Sequence, residues 1–177
     1  DEIRQKLGND YNYIVADCQS IPFKNNYFDT IVANHMLFYL KDLKQGLTEI
    51  TRVLKNNGTF YCTTYSKYHM QEISELAQNF DSRISLSDDP LPERFGLENG
   101  KDILKSYFNY VELKKYEDYL LITEAQPLID YILSCHGNQN EYLGNRLKEF
   151  KIYIEDLIKE SQGIKITKDS GLFICTK

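Results

Sequence analysis

Residues 15–43 read VADCQSIPFKNNYFDTIVANHMLFYLKDL, and the order of patterns inside this stretch decides the fold. A short apolar run, Tyr13-Ile14-Val15-Ala16, closes on Asp17 and reads as a strand. Ile21-Pro22-Phe23 followed by Lys24-Asn25-Asn26 places Pro and Asn where the chain must turn. Thr30-Ile31-Val32-Ala33 is a second continuous apolar run, as a parallel strand covered on both faces requires. Leu43, Leu47, Ile50 and Leu54 then recur at helical spacing, which predicts an amphipathic helix over 41–54. Strands alternating with helices in this way predict an α/β fold with a mostly parallel sheet.

Working outward, Glu2 to Leu7 has helical spacing and stops at Gly8, a natural C-terminal cap. After Asn56-Asn57-Gly58, where Gly58 permits a turn, Thr59 to Thr64 reads as a third strand. Ile73, Leu76 and Phe80 mark a helix from Tyr68, and the charged, proline-bearing stretch 81–100 reads as a surface excursion or lid. Ile103 to Phe108 predicts a short helix, and Tyr110 to Tyr116 alternates like a strand. Thr123 and Gln126 have the spacing of a capping box for a helix through Leu128, Ile132 and Leu133 to Gly137. Leu143, Leu147, Phe150, Ile154 and Leu157 mark a long amphipathic helix. Lys165 to Thr167, a Lys168-Asp169-Ser170-Gly171 turn, and Leu172 to Cys175 then predict a C-terminal antiparallel hairpin. Nothing interrupts residues 1–177 as a boundary would, so one domain is expected.

The composition excludes several classes. With 21 basic and 26 acidic side chains the formal charge is −5, and no Lys/Arg block offers the basic face that nucleic acid needs. No apolar run approaches the roughly 18 residues of a membrane span, and no basic-then-apolar leader opens the chain. Cys18, Cys62, Cys135 and Cys175 stand far apart without a CxxC pair, and His35, His69 and His136 are equally scattered. They read as reduced cytoplasmic thiols and unlinked histidines, so no metal site is expected. Fourteen Tyr and nine Phe accompany no Trp, so some tyrosines must sit half-buried with a hydroxyl that needs a partner.

Two segments, residues 15–43 above and LTEITRVLKNNGTFYCTTYS at residues 47–66, resemble the later half of class I S-adenosylmethionine-dependent methyltransferases of the small-molecule kind. Their order is a strand ending in an acid, an IPF turn, FD opening the next strand, and a helix ending in RVLK-x-x-G before another strand. The tail 95–177 resembles one bacterial branch of the same enzymes. The resemblance implies a Rossmann-like sheet of order 3-2-1-4-5-7-6 and S-adenosylmethionine as cofactor. The glycine-rich loop of that family, which lets backbone N–H groups approach the cofactor, has no counterpart here, since no G-x-G-x-x-G or G-x-G-x-G occurs. The expectation is an incomplete methyltransferase fold that begins inside the second helix and lacks the N-terminal third.

By the same resemblance, the Asp17 carboxylate accepts from the adenine amino group and the Cys18 backbone N–H meets the ring. Asn34 and His35 then border the methionyl part. Without the resemblance, Asp17 reads as an Asx-turn at a strand end, and His35 as packing beside Met36 and Leu37. Tyr39 and Tyr65 are candidates for an acceptor pocket or for half-buried structural positions, and His69 for a surface histidine. Asp29, at the amino end of its strand, is read as structural, and Glu155, Asp156, Lys159 and Glu160 as a solvated helix face. Methyl transfer from a sulfonium asks the protein mainly to align donor and acceptor and exclude water, so no catalytic residue is singled out.

These readings predict a methyltransferase acting on a small molecule, weak or inactive as this chain. The alternative is a non-catalytic fragment that serves as a binding or dimerisation module. A nicotinamide dehydrogenase is disfavoured, because neither its glycine fingerprint nor its ribose acid is present. Without strands one and two of the family order, the Tyr13–Ala16 and Thr30–Ala33 strands would have bare edges. Either the first slides beside the second or another copy covers them, and a homodimer is expected.

Overall fold

Phe28–Asn34 (β1) and Leu54–Tyr65 (β2) pair in parallel, with Ile31 opposite Phe60 and Ala33 opposite Cys62. The helix between them, Leu43–Val53 (α2), starts where the Asp42 carboxylate accepts the Gln45 N–H at 2.9 Å. It buries Leu47, Ile50 and Val53 against the sheet. In the computed structural model, residues 2–8, 10–87, 89 and 91–177 are described. Two residues of the expected lid, Asp88 and Pro90, lie outside them.

The remaining strands are Tyr110–Ile122 (β3) and Ile164–Thr176 (β4), and the sheet order is β1-β2-β4-β3. That is the 4-5-7-6 part of the expected order. β4 lies antiparallel to both neighbours, so β1, β2 and β3 run the same way while only one neighbouring pair is parallel. The sheet is therefore not mostly parallel. The C-terminal hairpin is also absent: Lys168 to Gly171 lie inside β4, with Asp169 opposite Glu117 and Gly171 opposite Lys115. Gly171 is glycine for closeness rather than for a turn. A Cβ there would stand 2.9 Å from Leu97 Cδ2 and 3.1 Å from the Lys114 carbonyl oxygen. Gly58 behaves likewise within β2. The left-handed residue is Asn57, at φ 64°, in a bulge where the register steps from Phe28–Leu54 to Thr30–Thr59.

Tyr13 to Ala16 forms no strand. Ile14 is 58% and Val15 fully exposed, and among the described residues the nearest β contact is the isolated Asp17–Ser20 bridge just after the segment. An apolar run holds strand geometry through a ladder, and among the described residues β1 pairs only with β2, so the run does not close onto it. The N-terminal helix is Glu2–Leu7 (α1), as its spacing predicts.

The helices Gln71–Phe80 (α3), Leu91–Arg94 (α4) and Gly100–Leu104 (α5) follow β2. Between β3 and β4 come Ala125–Ser134 (α6), Gln139–Leu143 (α7) and Leu147–Ser161 (α8). The capping box is not formed, because Glu124 takes the cap position and Gln126 turns to Asp130 at 2.9 Å. Alternation along β4 sends Phe173 and Cys175 to one apolar cluster and Ile166 to another. The first gathers Phe38, Leu47, Ile50, Phe60, Phe95 and Phe108, and the second gathers α3, α6 and α8 around Ile166. The stretch 81–100 is only partly surface, since Ile84, Phe95 and Leu97 are buried. Asp29 pairs with Lys55 at 2.8 Å, and Glu155, Asp156, Lys159 and Glu160 are exposed.

Candidate functional site

At the carboxyl end of β1 and β2 the backbone is bent to present side chains. His35, the residue after β1, has φ 47°, a left-handed value that a histidine adopts only when its surroundings hold it there. Thr63 does so: its carbonyl and hydroxyl oxygens accept the His35 N–H at 3.3 and 3.1 Å. The Thr63 hydroxyl also lies 3.5 Å from the Asn34 side-chain oxygen, so Asn34 and His35 share one support.

Three rings stack along this edge. His35 faces Tyr65 with ring centres 6.0 Å apart and an interplanar angle of 19°, and Tyr65 meets His69 at 5.3 Å. Phe38 closes on Tyr65 from the core at 5.1 Å, with Tyr39 against Phe38. Nδ1 of His69 accepts the Asp169 backbone N–H at 3.0 Å. In the neutral ring the proton is therefore on Nε2, which remains a donor. Burial and the neighbouring His35 push the His69 pKa down, against a smaller upward pull from Asp169. Burial, then Tyr39 and Tyr131, push the Tyr65 phenol up.

These rings line a cleft of about 550 Å³. Met70, Ile73 and Ser74 bring α3 to one wall, and Tyr131, Ser134, Cys135 and His136 bring the end of α6 to the other. Leu86, Ser87, Asp89, Leu91 and Pro92 roof it. The roof is tethered at both ends. Near Ser85, Asn138 accepts the Ser85 N–H at 2.7 Å and donates to the Arg83 carbonyl at 3.1 Å. At the other end the buried Thr64 hydroxyl donates to the Phe95 carbonyl at 2.8 Å. The histidines that looked unlinked in the sequence all meet here. Tyr131, Cys135, His136 and Asp89 were not legible as site residues, because no fixed spacing connects α6 or the roof to the strand ends.

Asp17 and Cys18 sit in a separate loop beside α2. The Asp17 carboxylate accepts the Gln19 backbone N–H at 2.8 Å and the Gln19 amide at 3.3 Å, which is an Asx-turn geometry. Gln19 in turn accepts the Asp42 N–H at 2.7 Å. The IPF turn is clamped by a pair inside α2. Glu49 accepts the Ile21 N–H at 2.8 Å, while Arg52 donates to the Ile21 and Phe23 carbonyls and bonds Glu49 at 2.7 Å. The Arg52 guanidinium holds the Glu49 pKa down at about 2, with the Ile21 N–H assisting. Cys18 is half-buried, and burial followed by the carboxylates of Asp17 and Glu49 pushes its thiol up, which leaves it a poor nucleophile. The Glu49–Arg52 clamp was missed at the sequence level, although its i,i+3 spacing was readable.

Among the described residues, no three His, Cys, Asp or Glu side chains form a metal-ligand group, and no helix is long and apolar enough to cross a membrane.

A family model described as a methyltransferase domain matches residues 1–62. The malonyl-[acyl-carrier protein] O-methyltransferase of Chlorobium luteolum is 25% identical over 160 residues, covering 89% of this chain and 57% of that protein. The ubiquinone/menaquinone biosynthesis C-methyltransferase UbiE of Vibrio cholerae is 30% identical over 73 residues, 41% of this chain and 28% of that one. The chain thus spans about half or less of these relatives' length. Among solved structures, the YcgJ protein of Bacillus subtilis matches 99% of this chain and 75% of its own at TM-score 0.59 and 16% identity. A putative methyltransferase from Bacillus halodurans also matches 99% of this chain, and 76% of its own, at TM-score 0.59 and 12% identity, which establishes the shared fold. The chain is thus similar to methyltransferases, by the family model over residues 1–62 and by these relatives, and it shares the α/β fold of the two solved structures.

Proposed function

We propose that this chain is the acceptor-side part of an S-adenosylmethionine-dependent methyltransferase acting on a small molecule. The observation that carries this reading is the cleft at the carboxyl ends of β1 and β2, the edge where open α/β sheets take ligands. His35 borders both the predicted methionyl position and the cleft, so a methyl group delivered there would face an acceptor held among Tyr65, His69 and Tyr131. The residues present suit part of the cofactor. Asp17 could accept from the adenine amino group by releasing the Gln19 amide, the Cys18 backbone N–H would meet the ring, and Asn34 and His35 would border the methionyl chain. When bound, the cofactor supplies an electrophilic methyl group, and the protein's part is alignment and exclusion of water.

As a 177-residue chain without a glycine loop motif, it binds the cofactor weakly in this reading. Four free thiols suit a cytoplasmic setting, and association of two copies belongs to the same proposal. The second reading, a non-catalytic binding or dimerisation module, is favoured only by the missing glycine motif.

Isotope-edited NMR with S-adenosylhomocysteine at millimolar concentration tests the reading at low affinity. The amide signals of Asp17, Cys18, Asn34 and His35 should move together while those of β3 stay in place. Unmoved signals at the first four positions would refute the cofactor assignment.

A further inference from the structure

β3 lies at the end of the sheet opposite β1, and among the described residues β4 is its only ladder partner. It is a 13-residue edge strand with Tyr110, Tyr116, Tyr119 and Leu121 each more than half exposed. Free edges of this length are templates for pairing with another strand, and proteins blunt them with charge. The charges on this edge are of both signs and are arranged about its centre. The strand reads YVELKKYEDYLLI, and Tyr116 is its middle residue.

We infer that β3 is a homodimer surface, pairing antiparallel with β3 of a second copy across a two-fold axis at Tyr116. On that axis Lys115 stands opposite the partner's Glu117, and Lys114 opposite the partner's Asp118. Leu113 meets the partner's Tyr119, Val111 the partner's Leu121, and Tyr110 the partner's Ile122. Every charge except Glu112 meets its opposite, and the strand ends meet apolar to apolar.

The register follows from geometry. Antiparallel ladder bonds join residues whose N–H and C=O both point outward, and these alternate along the strand. Two copies of one strand can therefore pair only in registers that slip by two residues at a time. The neighbouring allowed register on one side puts Lys115 against the partner's Lys115 and Glu112 against the partner's Asp118. The one on the other side puts Glu117 against the partner's Glu117. Like charges directly opposed destabilise a pair of strands, so the Tyr116 register is selected. Two internal contacts leave it intact: Asp118 already receives Lys168 at 2.6 Å and Lys115 lies 3.5 Å from Asp169, both with partners on β4 rather than on the free edge.

This inference rests on the self-association proposed above but not on the methyltransferase reading, since its test needs neither cofactor nor acceptor. In sedimentation velocity at micromolar concentration the chain should run as a dimer. Lys115→Glu and Glu117→Lys should each weaken the dimer by about tenfold or more, because two-fold symmetry counts every charge change twice. The double variant Lys115→Glu with Glu117→Lys should restore it. Tyr116→Cys should form an intermolecular disulfide under mild oxidation, since directly opposed Cα atoms stand about 4.5–5.5 Å apart, within disulfide reach. Lys115→Cys should not, because its own copy lies diagonally at about 7–8 Å. A monomeric wild-type chain would overturn both the surface and self-association. A dimer indifferent to both single variants, or one without a Tyr116→Cys cross-link, would overturn the surface alone.

Discussion

The backbone N–H of Asp169 donates to Nδ1 of His69 at 3.0 Å, although 100 positions separate the two residues. The bond ties the start of α3 to the middle of β4 and determines which ring nitrogen of His69 keeps its proton. A histidine held this way offers the cleft a neutral donor.

His69 should therefore titrate below the ordinary histidine value of about 6.5. Its folded pKa is lowered, so the unfolded chain binds the proton more readily. The contribution to stability is complete above about pH 6.5 and is lost as the pH falls toward the folded pKa. A long-range ¹H–¹⁵N NMR titration should show the Nε2–H tautomer at neutral pH and a midpoint under about 6.5; a midpoint above that value would contradict the assignment.

Glu49→Ala should loosen the 17–25 loop without touching any ligand. It removes the acceptor of the Ile21 N–H and leaves Arg52 without its carboxylate, a loss of about 1.5–3 kcal/mol for charge-assisted bonds. Because the folded pKa of Glu49 is lowered to about 2, its contribution is present above the usual carboxylate range and disappears as the pH falls through that value. Urea unfolding of wild type and variant at neutral and acidic pH should show the difference narrowing in acid.

Asp17→Ala should leave the fold intact and weaken cofactor binding by about one to two decades in Kd, the worth of one charge-assisted hydrogen bond. Calorimetry with S-adenosylmethionine checks this in any form of the protein that binds measurably. For the 177-residue chain itself, the expected Kd is weaker than about 10 μM, or less than roughly 7 kcal/mol of binding free energy. Equal affinities for wild type and variant would remove Asp17 from the adenine site.

Phe95→Ala should cost about 3–5 kcal/mol, the range for a large aromatic truncated in a packed core. Phe95 is fully buried, packs on Phe173 with ring centres 5.9 Å apart, and carries the carbonyl that anchors the cleft roof to Thr64. Chemical denaturation measures the loss. Amide exchange should also quicken across the roof, whereas a freely hanging lid would leave both readings unchanged.

The reading of β1, α2 and residues 59–64 of β2 from sequence survives because its determinants are local, whereas the expected turn at 56–58 lies inside β2. The apolar run Thr30–Ala33, the Leu43, Leu47, Ile50 spacing and the Asp42 cap each act within one element, and β1, α2 and β2 form where those patterns lie. Tyr13–Ala16 has a strand pattern of equal quality, yet a strand also needs an edge to pair with, and pairing is a property of the whole sheet. Lys168 to Gly171 have turn chemistry, but β3 pairs with all four and β2 with Ser170 and Gly171, which holds them extended. The candidate site divides in the same way. Asn34 and His35 are picked out by sequence because they close the β1 run, and Asp17 by its motif alone, since no strand precedes it among the described residues. The meeting of His35, His69, Tyr131 and His136 in one cleft required the sheet order and the packing of α3 and α6, which bring together residues that no sequence spacing connects.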